Sequence, residues 1–317
     1  MLKKQREFPL RIKLEEALLR RLPLHHKKRE EILVSLRKLR AGYRGEQELD
    51  YHLQFLPEKE YLIFQDLRLP IDDQFVQLDT LILSPWFALI IESKNIYGHL
   101  YFDPVSKQVI RTYNNTKEGF PDPILQVKRQ RTQLQKWMEI HMSKSIPIHC
   151  LVAIGYPSTI VETTPGNRHI FQIVHHAEHI PNKVLDLAKT APSPSLTTYQ
   201  LRKISQLLIN QHTSQDFDVL DWYQIHPTEF IRGIPCFSCN LETMQRIHGN
   251  WLCKTCKLKR KKAHVQVIQD HILLHGTITN EQCRKLLGLS SIHTSTRLLL
   301  SMNLPFQGST KDRVYTK

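Results

Sequence analysis

Two kinds of hydrophobic spacing divide the first two thirds of the chain. Leu10, Leu14, Leu18 and Leu22, then Ile32, Leu36 and Leu39, recur at helical intervals with Lys and Arg on the other faces and Pro23 between the runs. This predicts helices over 10–22 and 27–39. A third, over 45–55, puts Glu46 on one stripe with Leu49, Leu53 and Leu56, and leaves Glu48 and Asp50 off it. From residue 61 the pattern shortens to strands over 61–67, 75–83 and 87–94, then 99–102 and 109–113 around an Asp103-Pro104 turn. A helix over 123–141 follows, with Val127, Leu134, Trp137 and Met138 as its apolar side, then strands over 148–154 and 169–174. Proline-rich punctuation leads to a helix over 198–211. Strands separated by a crossover helix predict an α/β sheet with helices on its faces.

The most informative stretch is 78–98, two apolar, β-branched runs joined at Ser84-Pro85. Side chains alternate across a strand, so Glu92 and Lys94 share one face and Ser93 takes the other. Two charges thus end a very apolar run, Phe87-Ala88-Leu89-Ile90-Ile91, and Asp79 on the preceding strand adds a second carboxylate. Burying either charge alone would be heavily disfavoured, so such a pair is often part of a site. By itself the Glu-x-Lys triplet fits equally an ion pair on an edge strand.

An acid on one strand followed by Glu-x-Lys on the next resembles the core of the PD-(D/E)XK nucleases. The wider frame is similar to the NERD (nuclease-related) domain: Arg44-Gly45-Glu46 opening a helix, Gln77-Leu78-Asp79, Ile91-Glu92-Ser93-Lys94-Asn95 with Gly98, and Pro123-Ile124-Leu125-Gln126, over roughly residues 43 to 155. Leu78 stands where the superfamily name has Pro, and the helix carries Gln126 and Gln130 without the Tyr of related nucleases. The resemblance implies a restriction-endonuclease-like mixed sheet flanked by helices. It also implies a catalytic set of Glu46, Asp79, Glu92, Lys94 and Gln126, with Asp79 and Glu92 as oxygen ligands of Mg²⁺ or Mn²⁺. Lys94 would position or deprotonate the attacking water, and Gln126 would hold the group together. Read without the resemblance, Glu46 is a helix-terminal carboxylate favoured by the macrodipole.

Charge changes the picture at the two ends. Residues 1–42 hold 13 Lys/Arg against 5 Asp/Glu, residues 43–231 hold 17 against 21, and residues 232–317 hold 14 against 4, within a net charge of +14. Basic ends suit a polyanion, because neutralising phosphates releases counterions; the alternative is two solvated helical faces. No apolar run is long enough for a bilayer, and the first residues lead into no signal-peptide core, so a cytoplasmic protein with no membrane partner is expected.

Cys236-x-x-Cys239 and Cys253-x-x-Cys256 are separated by thirteen residues. Two such knuckles offer four thiolates to a structural Zn²⁺, with a hairpin turn at His248-Gly249-Asn250. A disulfide would need an oxidising compartment that nothing else in the sequence indicates. Cys150 and Cys283 read as core thiols, and the His25-His26, His175-His176 and His179 clusters lack metal spacing. Directly after the second knuckle come Lys257, Lys259, Arg260, Lys261 and Lys262, a candidate phosphate contact or a solvated linker. Helices over 263–274, 280–287 and 291–302, then a hairpin over 304–315, resemble a winged-helix form of the helix-turn-helix. On that resemblance Ser291, His293, Thr294, Thr296 and Arg297 would face a DNA groove. The alternative is a helical cap that dimerises or packs on the ribbon.

The expected organisation is therefore a basic helical arm (1–42), a NERD-like nuclease-fold domain (43–225), a zinc ribbon with its basic run (232–262) and a helix-turn-helix or winged-helix-like tail (263–317). The expected function is metal-dependent phosphodiester hydrolysis of DNA, with nucleic acid as partner. The alternatives are a non-catalytic DNA- or RNA-binding protein that uses the nuclease fold as scaffold, or an assembly module that binds protein. Oligomeric state has no signature in the sequence.

Overall fold

A six-stranded mixed sheet carries Asp79, Glu92 and Lys94, and helices packed on it carry Glu46 and Gln126. The computed structural model describes residues 1–142, 146–191, 193–239, 243–309 and 312–316. The strands run in the order Leu2–Lys4, Leu62–Ile71, Gln74–Leu83, Ala88–Lys94, Ile148–Ile154 and Val174–His176. The three consecutive strands in the middle are antiparallel, whereas Ala88–Lys94 pairs in parallel with Ile148–Ile154. A parallel neighbour requires a crossover, and helix Pro123–His141 lies within it.

Alternation along the strands separates two cores. Phe64, Leu81, Leu83 and Ile90 face one layer with Val127, Leu134 and Trp137 of helix Pro123–His141 and Leu201 and Leu208 of helix Thr198–Gln211. Ile63, Ile82, Leu89 and Ile91 face the other, with Leu49 and Leu53 of helix Arg29–Leu53 and Ile180 and Val184 of helix Ile180–Thr190. Burial on both faces accounts for the unbroken apolar run 87–91. A smaller sheet, ordered Thr116–Pro121, Gln108–Tyr113, His99–Asp103 and Ile160–Thr163, follows the site strand in the chain.

Contacts divide the chain into two units, residues 1–8 with 38–215, and residues 9–37 with 216–317. This differs from the segmentation expected at 42 and 225: the amphipathic helix Leu10–Arg21 belongs with the C-terminal unit, where Arg20 holds Asp270 of helix Ala263–His275 through bonds of 2.7 and 3.0 Å. In that unit Ile234–Pro235, Thr243–Ile247, Asn250–Leu252 and Lys259–Arg260 form a four-stranded ribbon. Beyond it, helices Ala263–His275, Asn280–Leu287 and Ile292–Leu300 accompany a three-stranded sheet of Ile278–Thr279, Val314–Tyr315 and Phe306–Gln307.

Several expected elements change. The helices expected over 27–39 and 45–55 are one helix, Arg29–Leu53. Gly42 and Gly45 each cost helix propensity, but the packing of this helix outweighs them. The strand expected over 169–174 is a 3₁₀ helix, Pro165–Gln172, followed by the short strand Val174–His176; Pro165 supplies a helical first turn. Strands Leu2–Lys4, Thr116–Pro121 and Ile160–Thr163 are too short or too exposed for their alternation to be read.

Candidate functional site

Glu92 and Lys94 end the strand Ala88–Lys94 on the face covered by helix Pro123–His141. Asp122 caps that helix and Pro123 opens it, which sets Gln126 and Gln130 one turn apart on the side facing the strand. Lys94 Nζ donates to Glu92 Oε1 at 2.6 Å and to Gln126 Oε1 at 3.0 Å. Gln126 Nε2 donates to the same Glu92 oxygen at 2.7 Å, and Gln130 Nε2 donates to Glu92 Oε2 at 2.8 Å and to the Gln77 carbonyl at 3.0 Å. Glu92 is 2 % exposed, so its burial is balanced by one ammonium and two amides.

Asp79 sits where the neighbouring ladder breaks. Pairing passes from Gln65–Thr80 to Leu67–Leu78 in unchanged register with the Asp66–Asp79 pair left out, and Asp66 adopts φ +50°, a left-handed conformation that Asp tolerates better than most residues. Freed from the ladder, the Asp79 carbonyl accepts from Arg6 Nη2 at 2.8 Å while its carboxylate accepts from the Ser93 amide at 2.9 Å. Burial, with Glu92 and Glu46 nearby, pushes the Asp79 carboxyl up to about 8.

Glu46 reaches the site from helix Arg29–Leu53. Arg6, whose side chain is 5 % exposed, bonds Glu46 at 3.0 Å and Asp50 at 3.0 Å. Burial raises the Glu46 carboxyl even though Arg6 opposes the shift. Asp50, read from sequence as off the buried side, is drawn in by the same arginine. An i,i+4 pair of carboxylates was the available signal for Asp50. Arg6 gave none, because it lies 40 residues before Glu46, just beyond the unanticipated strand Leu2–Lys4.

The five residues expected from sequence therefore converge, three by direct bonds and two through charge. The carboxylate oxygens of Glu46, Asp79 and Glu92 are the ligand type a hard divalent cation takes, whereas the Lys94 ammonium offers none. A cation would also offset the repulsion from Glu92 and Glu46 that adds to burial in raising the Asp79 carboxyl. Among the described residues Glu46, Asp79 and Glu92 do not close into a three-ligand cluster. The set fits a cation held by Asp79 and Glu92 that retains waters, with Glu46 held by Arg6.

The cysteine site is a closed one. The ligand atoms of Cys236, Cys239, Cys253 and Cys256 all lie within 4.8 Å of one another, with Cys236 to Cys256 at 3.5 Å and Cys239 to Cys253 at 3.6 Å. A tetrahedron with Zn–S bonds of about 2.3 Å has edges of about 3.8 Å, so the four thiols are placed to hold one zinc ion. Buried Trp251 anchors the ribbon beneath them by donating from Nε1 to His264 Nδ1 at 3.1 Å.

Lys257, Lys259, Arg260, Lys261 and Lys262 are all exposed beside this site. In helix Ile292–Leu300, capped by Ser291, His293 and Arg297 are exposed. Thr294 and Thr296 are half-buried, and Thr296 Oγ1 accepts from Asn280 Nδ2 at 2.8 Å. Of the five residues expected to face a groove, Ser291, His293 and Arg297 are exposed, with the Ser291 hydroxyl accepting from the Thr294 amide at 3.2 Å.

A mixed sheet flanked by helices, with Asp79, Glu92, Lys94 and Gln126 gathered about the end of strand Ala88–Lys94, is consistent with a nuclease-like fold. Residues 41–155 match the family model of the nuclease-related domain, NERD. No curated protein and no solved structure matches the chain. Among the described residues, no helix is long and apolar enough to cross a membrane.

Proposed function

We propose that the NERD domain hydrolyses phosphodiester bonds of DNA with Mg²⁺ or Mn²⁺ held by Asp79 and Glu92. The observation that carries this reading is the closed network of Lys94, Glu92 and Gln126 beside a carboxyl raised to about 8. Perturbed acids and a lysine fixed in one place are the parts a hydrolytic site needs. The cation would supply a bound water of lowered pKa and neutralise charge on the phosphate. Gln126 and Gln130 orient the Glu92 carboxylate. Lys94, held by Glu92 and Gln126, offers its remaining hydrogen to the attacking water or to a phosphate oxygen. Arg6 neutralises Glu46 and Asp50, which would otherwise repel the substrate.

In the second unit the zinc ribbon, the basic run and a winged-helix-like tail are assigned to nucleic-acid binding. Arg297 and the run 257–262 supply phosphate contacts. The test is cleavage of supercoiled and linear DNA by zinc-loaded protein with Mg²⁺ or Mn²⁺, beside Glu92→Ala. Loss of cleavage with nearly unchanged DNA affinity is expected, and equal cleavage by the variant overturns the assignment.

One observation favours a second reading, a non-catalytic nucleic-acid-binding scaffold. Both Glu92 oxygens are already satisfied by side chains. On that reading binding survives Glu92→Ala, depends steeply on salt and collapses when 232–317 is deleted.

A further inference from the structure

Three partly exposed tyrosines cluster where the chain leaves the strand that carries Glu92 and Lys94. Tyr97 packs edge-on against Tyr113, with ring centroids 4.9 Å apart, and against Tyr156, at 4.7 Å. They are 41, 43 and 42 % exposed, so each is anchored by its buried part and keeps about two fifths of its surface in solvent.

Their position follows from the strand ends. Tyr97 is three residues beyond Lys94. Tyr156 follows Gly155, whose amide bonds the Lys94 carbonyl at 2.9 Å and on which a Cβ would lie 3.0 Å from the Cα of Gly45, the neighbour of Glu46. Tyr113 is held to the same loop by Gly98, at φ +110°, where a Cβ would meet the Tyr113 Cβ at 3.3 Å. The cluster therefore stands within a few residues of both the lysine and the helix that carries the third acid.

We propose that this cluster is a stacking platform for an unpaired nucleobase, so that the site takes single-stranded nucleic acid, or an unpaired end or loop, in preference to intact duplex. The proposal rests on the phosphodiester-hydrolase reading above and names its substrate class. In an edge-to-face pair one ring covers at most one face of its neighbour, and the exposed two fifths of each tyrosine is the surface offered to a base. Every base has a π-face to lay on them, whereas in a duplex those faces are already stacked. The phosphate of the stacked nucleotide would meet positive charge in the ammonium of Lys94, which is partly exposed. Phosphate contact positions the strand and stacking selects its unpaired form.

The test uses the full zinc-loaded chain without added Mg²⁺ or Mn²⁺, so that no turnover is needed. A 12-nucleotide single strand carrying 5-iodouracil and the matching blunt duplex are photo-cross-linked, and the modified peptides are identified by mass spectrometry. The expected result is cross-links at Tyr97 or Tyr156 from the single strand and not from the duplex. In parallel, a Tyr97→Leu, Tyr156→Leu double variant should bind the single strand roughly tenfold more weakly, with Tyr97→Phe, Tyr156→Phe near wild type. Cross-links only elsewhere, or equal affinity of the leucine variant, overturn the platform. Cross-links at these tyrosines without cleavage under any metal keep the platform and sink hydrolysis. Cleavage whose single-strand preference is unchanged in the leucine variant does the reverse.

Discussion

Gly45 and Asn95 are pressed so closely that a Cβ on the glycine would clash with the Cβ of the asparagine and lie 3.1 Å from its Cγ. Asn95 Nδ2 also donates to the Ala41 carbonyl at 2.8 Å, which ties the helix to the residue after Lys94. This contact brings Glu46 to the strand ends, because only a bare backbone lets the helix come so near. Gly45→Ala is expected to push the helix outward, destabilise the domain by about 1–3 kcal/mol and weaken cleavage. Gly42→Ala, where a Cβ would meet nothing within 4 Å, should be neutral or stabilising by up to about 1 kcal/mol. Urea titration of both variants checks the contrast.

Gln130 reaches Glu92 Oε2 and the Gln77 carbonyl with one amide, so it acts through Glu92. Gln130→Met would leave a buried carboxylate oxygen without a donor. A loss of about 1–3 kcal/mol is expected in chemical denaturation. Gln130→Glu should cost more, since it adds a like charge at the same oxygen.

The raised Asp79 carboxyl gives stability a definite sign with pH. A buried acid at about 8 binds a proton that the unfolded chain, titrating near 3.8, has released. Between those values stability falls as pH rises. Asp79→Asn keeps an acceptor for the Ser93 amide and removes the titration. Its stability should decline less than that of wild type between pH 4 and 8, as thermal unfolding across that window would show.

Histidines of the C-terminal unit work in the opposite direction. Burial and Arg246 push His264 down to about 4, and burial, His275 and Arg21 do the same for His271. Both are neutral in the fold and become protonated on unfolding below their ordinary value of 6.5. Their contribution is full above that pH and is lost as the solution is acidified toward 4. His271→Phe should flatten the acid limb of the unfolding profile by on the order of 1 kcal/mol or more.

One zinc per chain is expected by metal analysis of the purified protein. Cys253→Ser should abolish it and melt the ribbon, because four thiols packed within 4.8 Å have no other compensating partner of that strength. Retention of stoichiometric zinc by that variant would contradict the four-thiolate assignment.

Local chemistry made much of this legible in one dimension. Glu92 and Lys94 could be placed together because a strand has a period of two, and their 2.6 Å bond follows from that period. Gln126 and Gln130 share a helix face because residues four apart do. The cysteine spacing implied a common ligand shell for the same reason, since a hairpin brings two knuckles together. Each of these relationships is short in sequence and is governed by backbone geometry.

Other features were decided only by the tertiary structure. Arg6 meets Glu46, Asp50 and Asp79 through a short strand beside Leu62–Ile71 that has too few residues to show alternation. The break of the ladder at Asp66, which frees Asp79, depends on two strands in register, and neither sequence announces it alone. One helix through Gly42 and Gly45 was preferred over two because its packing outweighs a local propensity of about 1 kcal/mol per glycine. Amphipathic periodicity showed that residues 10–22 bury a face, but not which core receives it. Long-range packing chose the helices of the C-terminal unit, since hydrophobic burial has no direction along the chain.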